Sequence, residues 1–188
     1  MHINELINES EVLDEITRPT QGSASYILDK AGYVRTGVGI NAEVFVKPGA
    51  NYVLKLFNAQ DQAYKNFANM TIRHPNVHFP VFKRKIIPVN DRYYAVRMEY
   101  LTPLPKDYQG MLDVMKRYIG GWRKSDPGSD HRSMAAVDME YVETQQPGIT
   151  EACDLLADFI KSNHYALDLH VGNVMMRGNV LVIIDPVV

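Results

Sequence analysis

The stretch that decides the fold is Tyr165–Pro186, YALDLHVGNVMMRGNVLVIIDP. Two short apolar runs, Val174–Met176 and Val180–Ile184, flank the turn signal Arg177-Gly178-Asn179 and predict a β-hairpin. Asn173 follows Asp168 by five residues (173 − 168), and Asp185 follows Asp168 by 17 (185 − 168). A hairpin brings its two ends together, so Asn173 and Asp185 become neighbouring hard oxygen donors of the kind Mg²⁺ takes. Asp168 then sits beyond the metal, facing an incoming hydroxyl. Such an arrangement suits phosphoryl transfer. The alternative is that all three are turn residues with no shared chemistry.

The spacing reproduces the catalytic-loop pattern of protein kinases, D-L-x-x-x-N followed by a metal-binding Asp. Its form here, Asp168-Leu169-His170-Val171-Gly172-Asn173, resembles the D-L-H-x-G-N variant of aminoglycoside phosphotransferases and other atypical kinases. A kinase makes demands upstream. A glycine-containing hairpin must let backbone N–H groups approach the phosphates. Gly37-Val38-Gly39-Ile40-Asn41-Ala42-Glu43-Val44 fits G-x-G-x-x-G-x-V with Ala42 at the third glycine, although an ordinary hairpin turn reads the same. A strand lysine follows, Lys55 in Tyr52-Val53-Leu54-Lys55-Leu56-Phe57, where the alternative is a lysine pointing to solvent. Arg97-Met98-Glu99-Tyr100-Leu101 is the expected hinge, with backbone groups of Glu99 and Leu101 facing the adenine edge.

The resemblance narrows to the early serine/threonine protein kinases of T-seven-like lytic bacteriophages. It rests on D-x-H-x-G-N, on Ile183-Ile184-Asp185-Pro186-Val187 as I-x-D-P-V, and on Tyr64-Lys65-Asn66-Phe67 as Y-x-x-F after the strand lysine. It covers roughly residues 30–188. That family implies ATP and Mg²⁺ as cofactors and phosphorylation of host proteins on Ser/Thr in the infected bacterial cytoplasm. It implies Asp168, Lys55 and His170 as catalytic residues. Gly37, Gly39, Ala42, Val44, Lys55, Glu99 and Leu101 bind ATP, and Asn173 and Asp185 bind the metal.

Outward from these motifs the chain is ordinary. It has 188 residues, 46% hydrophobic and 22% charged, with 20 basic against 22 acidic side chains and one cysteine. A net charge of −2 argues against broad nucleic-acid or anionic-membrane binding. Cys153 alone excludes an internal disulfide framework and suits a reducing cytosol. No apolar run reaches membrane-spanning length. Residues 3–16 read as an acidic amphipathic helix, and Ala59–Met70, Tyr108–Trp122 and Ile149–Ser162 as further helices, the last with Thr150 as its cap. Strands are expected at Tyr33–Thr36, Glu43–Lys47, Tyr52–Phe57, Phe79–Ile87 and Tyr93–Tyr100, and a polar loop at Lys124–Ser133.

The expected fold is α+β and protein-kinase-like, with a five-stranded antiparallel N-lobe sheet and a shortened helical C-lobe. Its parts are an N-terminal helix (1–22), an N-lobe (23–100) and a C-lobe (101–188). Three departures from the kinase pattern stand out. No Glu follows Lys55 in the next helix, leaving Asp61, Glu43 or Asp185 to orient it. Ala166-Leu167 replaces the usual His-Arg. The chain runs three residues past Asp185 (188 − 185), so no activation segment or substrate platform is expected. That points to a homodimer or to a partner completing the C-lobe. The competing function is a kinase-derived interaction protein that binds and inhibits a host factor; a small-molecule kinase is a third reading. His164, Asp168 and His170 form a weak transition-metal pattern.

Overall fold

The computed structural model describes residues 24–83, 85–121 and 131–188, with backbone alone for 131–135. The expected helix over 3–16, Trp122 and most of the expected polar loop lie outside the described residues. Contacts divide the chain into two units, one built from residues up to Gln62 with Phe82–Tyr100, the other from Ala63–Val81 with Leu101–Val188.

The first unit is a short helix on a five-stranded antiparallel sheet. The elements are α1 (Ala24–Lys30), β1 (Val34–Val38), β2 (Ala42–Val46), β3 (Tyr52–Asn58), β4 (Ile87–Pro88) and β5 (Tyr93–Glu99), in the order β1-β2-β3-β5-β4. The central strands β3 and β5 are buried on both faces, which their mostly apolar residues allow. Register decides which side chains share a face. Phe45 pairs with Leu54, Leu56 with Ala95, and these four pack with Ile27 and Leu28 of α1. The opposite face therefore carries Val44, Lys55 and Val96, which are aligned across β2, β3 and β5.

The second unit is helical around a small sheet. It takes the helix α2 (Gln62–Arg73) from Ala63 onward, then β6 (Thr102–Pro103), α3 (Gln109–Gly121), α4 (His131–Gln145), α5 (Ile149–Asn163), β7 (Val174–Arg177) and β8 (Val180–Ile183). Strands β6, β7 and β8 pair antiparallel in that order. In α2 the buried stripe is Ala63, Tyr64, Phe67, Ala68 and Thr71, so Y-x-x-F supplies core side chains. Phe67 meets Phe79 edge-on with ring centroids 5.9 Å apart. Helices α3, α4 and α5 pack on one another through Leu112, Met115, Ile119, Met139, Val142, Cys153, Leu156 and Ile160.

Three local expectations are corrected, and one short strand has no counterpart among them. The strand over Phe79–Ile87 shrinks to Ile87–Pro88 plus an isolated Phe82–Met98 bridge, because Phe79 turns into the other unit's core and Pro80 has no N–H for a ladder. Residues 131–133, expected in a polar loop, open α4, whose exposed Val137 and Tyr141 interrupt the apolar periodicity that marks a helix in sequence. Strand β6 is two residues long and contains a proline, too little to read. Thr150 does not cap α5: the Ncap is Gly148, at φ 91°, and the Glu143 carboxylate accepts from Gly148 N (2.6 Å) and Thr150 N (2.9 Å). A left-handed backbone there favours glycine.

Candidate functional site

The hairpin β7–β8 and the loop before it assemble the three predicted polar residues. Residues 166–168 lie against 186–188: Asp168 N donates to Pro186 O at 2.7 Å, and Ala166 and Val188 exchange backbone bonds of 2.9 and 3.1 Å. At the hairpin mouth Ile184 N donates to Asn173 O at 2.9 Å. Asp185 is thus held between two backbone bonds, one to Asn173 and one to Asp168. Leu169, buried at 4% exposure, anchors the loop, while His170 and Val171 face outward.

Within the loop the side chains orient one another. The Asn173 amide donates to Asp168 O (2.7 Å) and lies 3.2 Å from Asp168 Oδ2. Its donors committed, the amide presents Oδ1 as an oxygen donor. His170 Nδ1 accepts from Gly172 N at 3.0 Å, which leaves Nε2 to carry the proton of the neutral ring, 3.7 Å from Asp168 Oδ2. A Cβ on Gly172 would stand 2.9 Å from His170 Cε1 and 3.1 Å from Nδ1. Only glycine lets the imidazole lie this close to the loop backbone. The Asp168 side chain is 43% exposed and can meet a substrate.

Hard oxygen donors from Asn173 and Asp185 at the ends of one hairpin match the ligand chemistry of Mg²⁺. Among the described residues, no group of three or more His, Cys, Asp or Glu side chains could hold a metal ion, so His164, Asp168 and His170 do not form a transition-metal centre. The Asn173/Asp185 pair, one amide and one carboxylate, is a different set from such a cluster.

The predicted nucleotide residues fall in the first unit, except Leu101. Lys55 is 6% exposed at the centre of β3, so the solvent-facing alternative does not hold. It shares its sheet face with Val44, and a Cβ on Gly37 would meet Val44 Cβ at 3.4 Å, which places Gly37 beside them. Ala42 alternates onto the same face. Gly39 N donates to Ala42 O at 2.7 Å, closing the turn through Ile40 and Asn41. Glu99 ends β5, and Leu101 is buried just beyond the boundary between the units. One expectation is overturned here. Glu43 pairs with Leu56, on the face opposite Lys55, and its carboxylate takes Arg35 Nη1 at 3.1 Å and Ser25 Oγ at 3.1 Å. It cannot orient Lys55. Helix α2 contains no acidic residue.

Two buried polar residues near the hairpin carry no sequence signal, His78 and Gln146. Their partners lie 33 to 103 positions away, beyond any local motif.

No protein-family model matches the chain, and no curated protein matches it. Among solved structures it is similar to the streptomycin–ATP–APH(2″)-IIa ternary complex, at 14% identity and a TM-score of 0.37, over 89% of this chain and 73% of that one. No helix among the described residues is long and apolar enough to cross a membrane.

Proposed function

We propose that the protein is an ATP- and Mg²⁺-dependent phosphotransferase, a serine/threonine protein kinase of a lytic phage acting on host bacterial proteins in the host cytoplasm. The observation that carries this reading is the placement of Asp168, Asn173 and Asp185 at one hairpin mouth by the Asp168–Pro186 and Ile184–Asn173 backbone bonds. Asp168 accepts the proton of a Ser or Thr hydroxyl as its oxygen bonds to the γ-phosphorus and the bond to the ADP oxygen breaks. Asn173 and Asp185 would hold Mg²⁺, which would supply positive charge to the phosphate oxygens. His170 orients Asp168 from 3.7 Å. Lys55, Gly37, Gly39, Ala42 and Val44, with backbone groups of Glu99 and Leu101, are assigned to the nucleotide. Catalysis rests on positioning and charge, without a covalent intermediate.

A second reading has one specific observation behind it: helix α2, the helix after the strand lysine in sequence, contains no acidic residue. On that reading the chain is a kinase-derived interaction protein that binds and inhibits a host factor. Binding of Mg-ATP separates the two, because a ligand of the native state raises stability by mass action. The kinase reading expects a thermal shift with Mg-ATP that Asp185→Ala and Lys55→Ala each abolish. No shift in the wild type favours the interaction protein.

A further inference from the structure

Strand β8 is the edge of its sheet, and Asp185 follows it by two residues. Leu181 and Ile183 turn their backbone groups away from β7 and toward the open edge, which would otherwise be unpaired polar backbone inside the unit. That edge is closed by two residues distant in sequence. Leu181 N donates to Gln146 Oε1 at 2.9 Å, and Gln146 Nε2 donates to Asn179 O at 2.9 Å in the β7–β8 turn. Leu181 O lies 2.7 Å from His78 Nδ1, and Ile183 N donates to His78 O at 2.8 Å. His78 Nε2 lies 3.0 Å from Pro147 O, tying the ring to the turn after Gln146. His78 is 1% and Gln146 4% exposed. Arg177 of β7 completes the seam by donating to Val77 O (2.7 Å) and Phe79 O (3.0 Å) on either side of His78.

We infer that Gln146 and His78 are positioning residues that fix the register of β8 and thereby place the hairpin ends carrying Asn173 and Asp185. Their side chains act as a substitute strand. A buried amide that both donates to and accepts from the same hairpin fixes that strand's height as well as its distance. A one-residue slip of β8 would exchange every inward side chain for an outward one and carry Asp185 away from Asn173. The value of that placement for metal binding rests on the function proposed above; the placement itself does not.

Amide hydrogen exchange and side-chain amide NMR of the full chain test it. With Gln146→Met, exchange at Leu181 and at Ile184, whose N–H bonds Asn173, is expected to speed up about ten-fold or more. The Asn173 side-chain amide resonances are expected to move, while the amides of Leu156 and Ala157 in α5 keep their protection. Gln146→Glu, which retains the acceptor for Leu181 but not the donor to Asn179, is expected to restore protection at Leu181. Unchanged Ile184 exchange and unmoved Asn173 resonances in Gln146→Met would overturn the inference, as would equal loss at Leu181 in both variants. Failure of the wild type to bind Mg-ATP would instead strike the proposed function, leaving the hairpin result to stand.

Discussion

At the residue scale two side chains of the candidate site are aimed by their neighbours. Asn173 is aimed by its own donors to Asp168, and His170 by the backbone N–H of Gly172. Gly172→Ala forces the added methyl against the imidazole, at 2.9 Å from Cε1 before relaxation, so the ring must swing from Asp168. With Asp168 no longer oriented by the ring, kcat is expected to fall about 10- to 100-fold, with the KM for ATP little changed. An equal rise in that KM would show that the ring acts on nucleotide binding instead. Asp168→Ala removes the proposed proton acceptor and is expected to cost about 10²- to 10⁴-fold in kcat. The loop and hairpin that bring Asp168, Asn173 and Asp185 together were legible in the sequence because these residues sit within 17 positions and a hairpin makes its ends neighbours. The Gly172–His170 contact was not, since a glycine in a loop gives no sign of what presses on it.

At the element scale the helices show where sequence reading stops. Helix α5 was legible from its apolar stripe; its cap was not, because Glu143 reaches it from the preceding helix. The backbone bond from Gly148, with a second from Thr150 and the charge of His78, holds the Glu143 carboxyl below its ordinary value of 4.5. A depressed carboxylate contributes stability that is present above about pH 4.5 and is lost as pH falls through the lowered native value. Loss of the two capping bonds in Glu143→Ala is expected to cost about 1 kcal/mol at neutral pH. The gap from wild type closes in acid, as denaturant unfolding at the two pH values will read. A gap independent of pH would mean that Glu143 acts by packing. Cys153 on the same helix was read as core, and burial pushes its thiol well up from its ordinary value. It is expected to resist thiol-specific labelling in the native protein and to react fully in denaturant. Fast labelling of the folded chain would contradict that.

At the scale of the whole molecule, strand order and register supply what motifs could not. The glycine hairpin and Lys55 were legible one by one. Only the β1–β2–β3 register shows that Gly37, Ala42, Val44 and Lys55 share a face and that Glu43 lies on the other. The seam of His78 and Gln146 was invisible for the same reason: its bonds join residues that only the fold brings together. A ligand of the native state stabilises it by mass action, and the proposed function makes Mg-ATP such a ligand. Saturating Mg-ATP at 100 times its dissociation constant is expected to stabilise the native chain by about 2.7 kcal/mol. The gain should vanish when EDTA removes the metal. A gain that survives EDTA would detach Asn173 and Asp185 from the nucleotide.

The most direct test of the central claim is transfer of labelled γ-phosphate from ATP, with Mg²⁺, to proteins of a bacterial lysate or to the chain itself. The account predicts labelled phosphoserine or phosphothreonine with the wild type and none above background with Asp168→Ala or Asp185→Ala. Absence of transfer by the wild type, or transfer that survives Asp168→Ala undiminished, would contradict it.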